Sequence, residues 1–287
     1  MQNVHFTPPQ IAKMLEVNVS TIKRWVDKGF LQATITAGGH RRISKMQLAQ
    51  FTKKYPSLAK QSYILHRLTE KRRQPVTQQW EEYYRALLSN DSVSSERVIE
   101  RAYIANHSIP DILDRIVGPT LQHIGMEWQK GIISIFEEHK MSFLIRMHLF
   151  RLSDLIAYSE TKKQKTAMLA CVAHEQHEIV LQMLAIIFKL HGWKVHILGI
   201  NIPSIELVKA GQHIKPDLIA LTKIFTKSGS LEYLNVIAQY ARRHTIALLY
   251  GGSGWSKIIR ERTWNGGKLV RYMPSMSALH EYLQEHS

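Results

Sequence analysis

Three short stretches of this 287-residue chain hold side chains that can do chemistry together: Glu175-Gln176-His177, Thr222-Lys223-Ile224 and Gly251-Gly252. A neutral imidazole is a transition-metal ligand, and a carboxylate two residues away can accept its other ring N–H and fix its orientation. A hydroxyl such as Thr222 can hydrogen-bond a bound group, and a glycine pair lets backbone approach that group closely. Taken alone, a histidine at a helix start is usually a surface or capping residue. A bare metal ion on His174, Glu175 and His177 is a weaker reading, because these share one loop and no distant ligand pair is evident.

A second functional set lies near the N-terminus. Residues 1–75 hold 14 Lys+Arg against 3 Asp+Glu, a net of +11, out of +15 for the whole chain. A solvated surface would spread that charge, so a polyanion is the expected partner of this segment. Thr7 can cap a helix beginning at Pro8, with Ile11, Met14 and Leu15 as its apolar stripe. Asn18 can cap a second helix that turns Ile22, Trp25 and Val26 inward and Ser20, Thr21, Lys23 and Arg24 mostly outward, before Gly29 ends it. Strands over Leu31–Thr36 and Arg41–Ser44, joined through Ala37-Gly38-Gly39-His40, make a basic wing with His40, Arg41 and Arg42 at its exit. Hydroxyls and cations on a helix of this kind suit base edges and phosphates of double-stranded DNA. The order of these parts resembles the winged helix-turn-helix head of MerR-type regulators over roughly residues 4–70, and Trp25 is then a core anchor.

Charge and proline in Lys71-Arg72-Arg73-Gln74-Pro75 mark a linker, and the domains are expected at 1–74, 75–160 and 163–287. In the middle domain Thr77–Leu88, Ser94–His107 and Pro110–Lys130 carry helical periodicity. A fourth helix opens on the capping box Ser134-Ile135-Phe136-Glu137 and runs to about Tyr158. A four-helix bundle is expected, with Trp128, Glu138 and His139 converging at one mouth. The last domain alternates strands near 167–172, 194–198, 218–222, 246–250 and 269–272 with helices near 178–191, 204–214, 230–243, 255–262 and 275–285. That is an α/β fold, a doubly wound five-stranded parallel sheet, whose ligands bind beyond the carboxyl ends of the strands. No G-x-G-x-x-G follows the first strand, which disfavours a dinucleotide enzyme.

The three stretches resemble the cobalamin-binding pattern: an acid, any residue, His, two residues and Gly; then Ser-x-Leu; then Gly-Gly. Here Glu175, His177 and Val180 are followed after forty-one residues by Thr222-x-Ile224, and after twenty-six more by Gly251-Gly252. The resemblance implies that His177 is the lower ligand of cobalt, that Glu175 orients it, and that Thr222, Gly251 and Gly252 receive the nucleotide tail. Val180 replaces the pattern's glycine. Trp128, nine residues and then Glu138-His139 resembles the bundle that caps adenosylcobalamin in CarH/LitR-type repressors. Gln129 stands where light-responsive members carry histidine, and an amide is a far poorer cobalt ligand than an imidazole, which favours simple cofactor sensing over light sensing unless His123 or His139 swings in or photolysis alone breaks the oligomer. The resemblance covers nearly the whole chain and implies a DNA-binding transcription regulator, a repressor that oligomerises with its cofactor and is not an enzyme. The alternatives are a regulator that has lost cobalamin and works through protein contacts, and a corrinoid carrier in methyl transfer. The basic head disfavours the carrier.

No run of eighteen uncharged apolar residues and no export signal is present, so a cytoplasmic protein without a membrane partner is expected. Cys171, the only cysteine, lies in an apolar run and reads as a core residue of a strand.

Overall fold

Thr7 and Ser44 set the frame of the N-terminal head by opening two of its helices with reciprocal capping boxes to Gln10 and Gln47. The computed structural model describes residues 5–55, 58, 79–105, 107–154, 164–225, 230–255 and 269–286. The linker expected at 71–75 and nearly all of the helix expected at 255–262 lie outside these. The chain divides into two compact units, Met1–Ile116 and Val117–Ser287.

In the first unit, β1 (His5–Phe6), α1 (Pro8–Leu15), α2 (Val19–Asp27), β2 (Thr34–Ile35), β3 (Arg41–Ser44) and α3 (Lys45–Lys54) form the head. The strands make an antiparallel sheet in the order β1-β3-β2, with Thr34 opposite Arg42 and Ile35 opposite Arg41. Ile11, Leu15, Ile22, Trp25, Leu31, Ile43, Leu48 and Phe51 are its core, and the Trp25 and Phe51 rings lie 4.9 Å apart. Trp25 is therefore the anchor the sequence suggested. β1 and α3 were not anticipated, and β2 is shorter than the expected 31–36. Asn18 occupies the N-cap of α2 in extended backbone but makes no side-chain capping bond. α4 (Gln79–Leu88) and α5 (Ser92–Ile104) follow as a helical pair, with Arg101 Nη2 2.6 Å from Glu82 Oε1.

The helix expected over 110–130 is interrupted. It runs as α6 (Ile109–Ile112), one wide turn over Leu113–Val117, then α7 (Gly118–Gln129). Pro119 has no N–H to donate to the carbonyl four residues back, and a locally widened turn is one way a helix absorbs that loss.

The second unit takes up α7, which leads through Gly131, at φ 68°, into α8 (Ile135–Asp154). Ser134 and Glu137 make the expected capping box there, with the Ser134 N–H donating to Glu137 Oε2 at 2.8 Å and the Glu137 N–H to Ser134 Oγ at 3.2 Å. The α/β part comprises β4 (Thr166–Val172), α9 (Ile179–Leu190), β5 (Lys194–Ile202), α10 (Ser204–Ile214), β6 (Leu218–Thr222), α11 (Ser230–Arg243), β7 (Ala247–Gly251), β8 (Val270–Met273) and α12 (Met276–His286). Five parallel strands run in the order β5-β4-β6-β7-β8. All five were expected, within one residue at each end except for β5, which continues to Ile202 past Gly199. Cys171 is fully buried in β4, and burial, with Glu175 and Glu178 nearby, pushes its thiol up to about 12. It is a packing residue. Because chain order reverses between β4 and β6, the loops leaving these strands diverge and open a crevice at their carboxyl ends.

Candidate cobalamin site and nucleic-acid interface

Glu175 sits in that crevice, in the loop between β4 and α9, with its side chain buried. Its Oε1 accepts the backbone N–H of Gln176 and of His177, each at 2.9 Å, and also bonds His177 Nδ1. Its Oε2 accepts the Ile224 N–H at 2.5 Å and the Phe225 N–H at 3.0 Å, from the segment leaving β6. Burial alone would raise the carboxyl pKa, but the bonds from His177, Phe225 and Ile224 outweigh it and lower it to about 2. The result is a fixed anion that holds Nδ1. Nε2 of His177 has no hydrogen bond to any described residue, and the side chain is 39% exposed. The Phe225 ring lies against the imidazole, with centroids 4.7 Å apart and planes at 54°.

Thr222 ends β6, and its Oγ1 is buried without a hydrogen-bond partner. An orphaned hydroxyl costs about 1–3 kcal/mol, so a hydrogen-bond partner supplied to Thr222 Oγ1 would be stabilising. Lys223 beside it is buried, with Nζ 5.8 Å from the centre of the Trp255 ring; burial lowers its pKa and Glu175 opposes that shift. Gly251 and Gly252 close the crevice from β7. A Cβ on Gly252, at φ 105°, would lie 2.1 Å from the Lys223 carbonyl oxygen, and one on Gly251 would lie 2.8 Å from that of Met273. The glycine pair is thus already required by the approach of the protein's own backbone. Val180 is half-buried in the first turn of α9.

On the helical side, Glu138 Oε2 lies 3.4 Å from His139 Nε2, and Glu138 Oε1 accepts from Ser142 Oγ at 2.6 Å. Trp128, 41% exposed, makes no described ring contact or hydrogen bond with either. Gln129 is exposed and His123 is 3.2 Å from Glu127. Arg146 Nη1 reaches Glu178 Oε2 at 3.3 Å, so α8 is tied to the loop that carries His177. His174 is at φ 66°, its N–H donating to Asn201 Oδ1 at 2.7 Å; among the described residues no group of three or more His, Cys, Asp or Glu is arranged to hold a bare metal ion.

In the head, Ser20, Lys23, Arg24 and His40 are exposed, while Thr21, Arg41 and Arg42 are half-buried. Arg41 Nη2 is 2.6 Å from Asp27 Oδ1 at the end of α2, and Arg42 Nη1 donates to the Arg41 carbonyl at 3.4 Å. Sequence reasoning missed Asp27, Phe225 and the part played by the backbone amide of Ile224. The two amides carry no side-chain signal, whereas Asp27 is an acid inside an otherwise basic surface.

Comparison with known proteins fits this division. The B12 binding domain family matches residues 165–277, a second B12 binding domain family matches 79–153, and a helix-turn-helix domain family matches 6–55. The chain therefore joins a helix-turn-helix domain to a B12-binding pair of domains. It is similar to the HTH-type transcriptional repressor CarA of Myxococcus xanthus, at 26% identity over 81% of each chain. It is likewise similar to the HTH-type transcriptional repressor CarH of the same organism, at 23% identity over 76% of this chain and 78% of that protein. The fold is that of the Methanosarcina barkeri monomethylamine corrinoid protein, with a TM-score of 0.55 at 13% identity, over 74% of this chain and 100% of the other. No helix among the described residues is long and apolar enough to cross a membrane.

Proposed function

We propose that this chain is a DNA-binding transcriptional repressor whose grip on an operator is controlled by cobalamin. One observation carries the reading: a buried carboxylate holds Nδ1 of His177 and leaves Nε2 unengaged at the carboxyl edge of a parallel sheet, in a chain that begins with a basic helix-turn-helix. When bound, cobalamin would supply a cobalt centre that an imidazole can ligate. Nε2 of His177 would be that ligand, with Glu175 as the fixed acceptor behind the ring. The orphaned Thr222 hydroxyl would bond the tail, and Trp128, Glu138 and His139 would cover the adenosyl group if that form is bound. Gln129 cannot serve as a second imidazole, so cofactor sensing without light fits this chain.

Self-association is part of the proposal. α8 buries Met141, Leu144, Ile145, His148, Leu149 and Leu152, yet its other side presents Phe136, Phe143, Met147 and Phe150 to solvent. Such a stripe is stabilised when covered, and a second copy would cover it. In the head, the reading surface is Ser20, Thr21, Lys23, Arg24, His40, Arg41 and Arg42. Similarity to two repressors and the basic head favour a regulator over a corrinoid carrier.

The test loads purified protein with adenosylcobalamin in the dark, desalts it, and follows corrin absorbance, size by chromatography and operator retardation on a gel. Retained absorbance with a change in size and retardation is expected. A protein that sheds all corrin while binding its operator unchanged is a regulator without the cofactor.

A further inference from the structure

We propose that Phe225 is a positioning residue for the His177 imidazole, which makes the segment leaving β6 part of the ligand's mounting; the inference rests on the reading of His177 as the cobalt ligand. The Glu175 bond to Nδ1 holds the ring at one atom, and because a hydrogen bond tolerates a range of angles it leaves a residual swing about Cβ–Cγ. A flat neighbour against the imidazole removes the swing. Phe225 is placed to be that neighbour by the same carboxylate, because its own N–H donates to Glu175 Oε2 at 3.0 Å. Its side chain then returns to the imidazole at 4.7 Å although the residue is 38% exposed. Exposed phenylalanine gains little from solvent, and a tilted aromatic pair of this spacing is attractive beyond its buried area.

The arrangement closes a loop of interactions. Glu175 holds His177 with one oxygen and the Ile224–Phe225 backbone with the other, and Phe225 holds the face of His177. Thr222 lies three residues before Phe225, so the proposed tail contact and the proposed cobalt contact share one short stretch of chain. Displacing the Thr222–Phe225 segment disturbs the axial ring, and displacing the ring disturbs that segment. This makes Phe225 a determinant of how well the lower ligand is preorganised, and groups that orient metal-ligating histidines are typically worth about 10–100-fold in affinity when removed. A ring-to-ring contact on one face should sit at the low end of that range.

The experiment uses the full chain with ¹⁵N-labelled histidine, and assigns the His177 ring signals by their loss in His177→Gln. Phe225→Ala, Phe225→Leu and Phe225→Tyr are compared with the parent, first without cofactor and then loaded with hydroxocobalamin. The parent should show one His177 tautomer, with the proton on Nδ1. Phe225→Ala and Phe225→Leu should broaden or mix that signal and release hydroxocobalamin roughly 10-fold faster, while Phe225→Tyr keeps parental behaviour in both. Unchanged His177 signals in Phe225→Ala and Phe225→Leu overturn the proposal. So does a changed signal in a protein whose release rate stays within about twofold of the parent, since the ring would then be positioned to no purpose at cobalt. If the parent retains no hydroxocobalamin, the cobalt reading fails by itself, and the cofactor-free spectra still decide what Phe225 does.

Discussion

The head and the sheet edge hold their functional side chains in opposite ways. On α2, Ser20, Lys23 and Arg24 stand in solvent, while Arg41 pairs with Asp27. At the sheet edge the key anion, Glu175, is buried and accepts five bonds from four residues before any ligand arrives. On the proposed function the difference follows from the partner. DNA is a large polyanion met at a surface, where mobile cations lose little by waiting in water. A cofactor held through one imidazole needs that imidazole in place beforehand, and a desolvated, fully bonded carboxylate does so firmly.

The contrast can be broken or sharpened by substitution. The largest effect on folding is expected at Gly252→Ala, which places a methyl 2.1 Å from the Lys223 oxygen at positive φ. It should destabilise the protein by roughly 2–5 kcal/mol, read as a shifted denaturant midpoint. In the head, Arg24→Ala should cost about 1–3 kcal/mol of specific operator binding, measured by titration at fixed salt, if Arg24 reads a base. Arg42→Ala should weaken binding about equally on all sequences and flatten the salt dependence. Parental affinity in both variants would move the reading surface elsewhere.

Thr222→Val separates folding from binding. Replacing an orphaned buried hydroxyl by an apolar group of the same shape should leave the cofactor-free protein as stable or up to about 1 kcal/mol more stable. It should still weaken cobalamin retention. Equal loss of both would mean that Thr222 serves the fold alone.

The smallest effect concerns pH, away from the site. His191 Nε2 lies 2.9 Å from His280 Nδ1, and burial, followed by the charge of His280, lowers the His191 pKa from 6.5 to about 4. The folded state thus binds fewer protons than the unfolded chain between those values, and stability should fall as pH drops from about 6.5 towards 4, by on the order of 1 kcal/mol once solvent screening of this half-buried ring is allowed for. His191→Gln should flatten that slope in urea unfolding at the two pH values. An unchanged slope would remove His191 from the effect.

Much of this was legible because periodicity and spacing are local signals. The apolar runs fixed all five strands of the sheet, and the caps at Thr7 and Ser134 gave the helix starts to the residue. What escaped was non-local or lacked a side-chain signature. β1 is two residues long and exists through pairing with β3. The wide turn at 113–117 breaks a helix whose periodicity is otherwise continuous. At the site, the pattern of an acid, a histidine and a hydroxyl pointed to Glu175, His177 and Thr222. It could not show that backbone amides of Ile224 and Phe225 occupy the second carboxylate oxygen, because amides are the same at every position.

The central claim is that His177 holds cobalt from below, and cobalt's own spin can report it. Protein labelled with ¹⁵N-histidine is loaded with unlabelled cobalamin, reduced to the cobalt(II) form, and examined by electron paramagnetic resonance. Coupling to one ¹⁵N nucleus, a doublet on each cobalt line that His177→Ala abolishes, is the expected result. A triplet from ¹⁴N, showing that the cofactor's own base stays on cobalt, or a doublet that survives His177→Ala, would contradict the account.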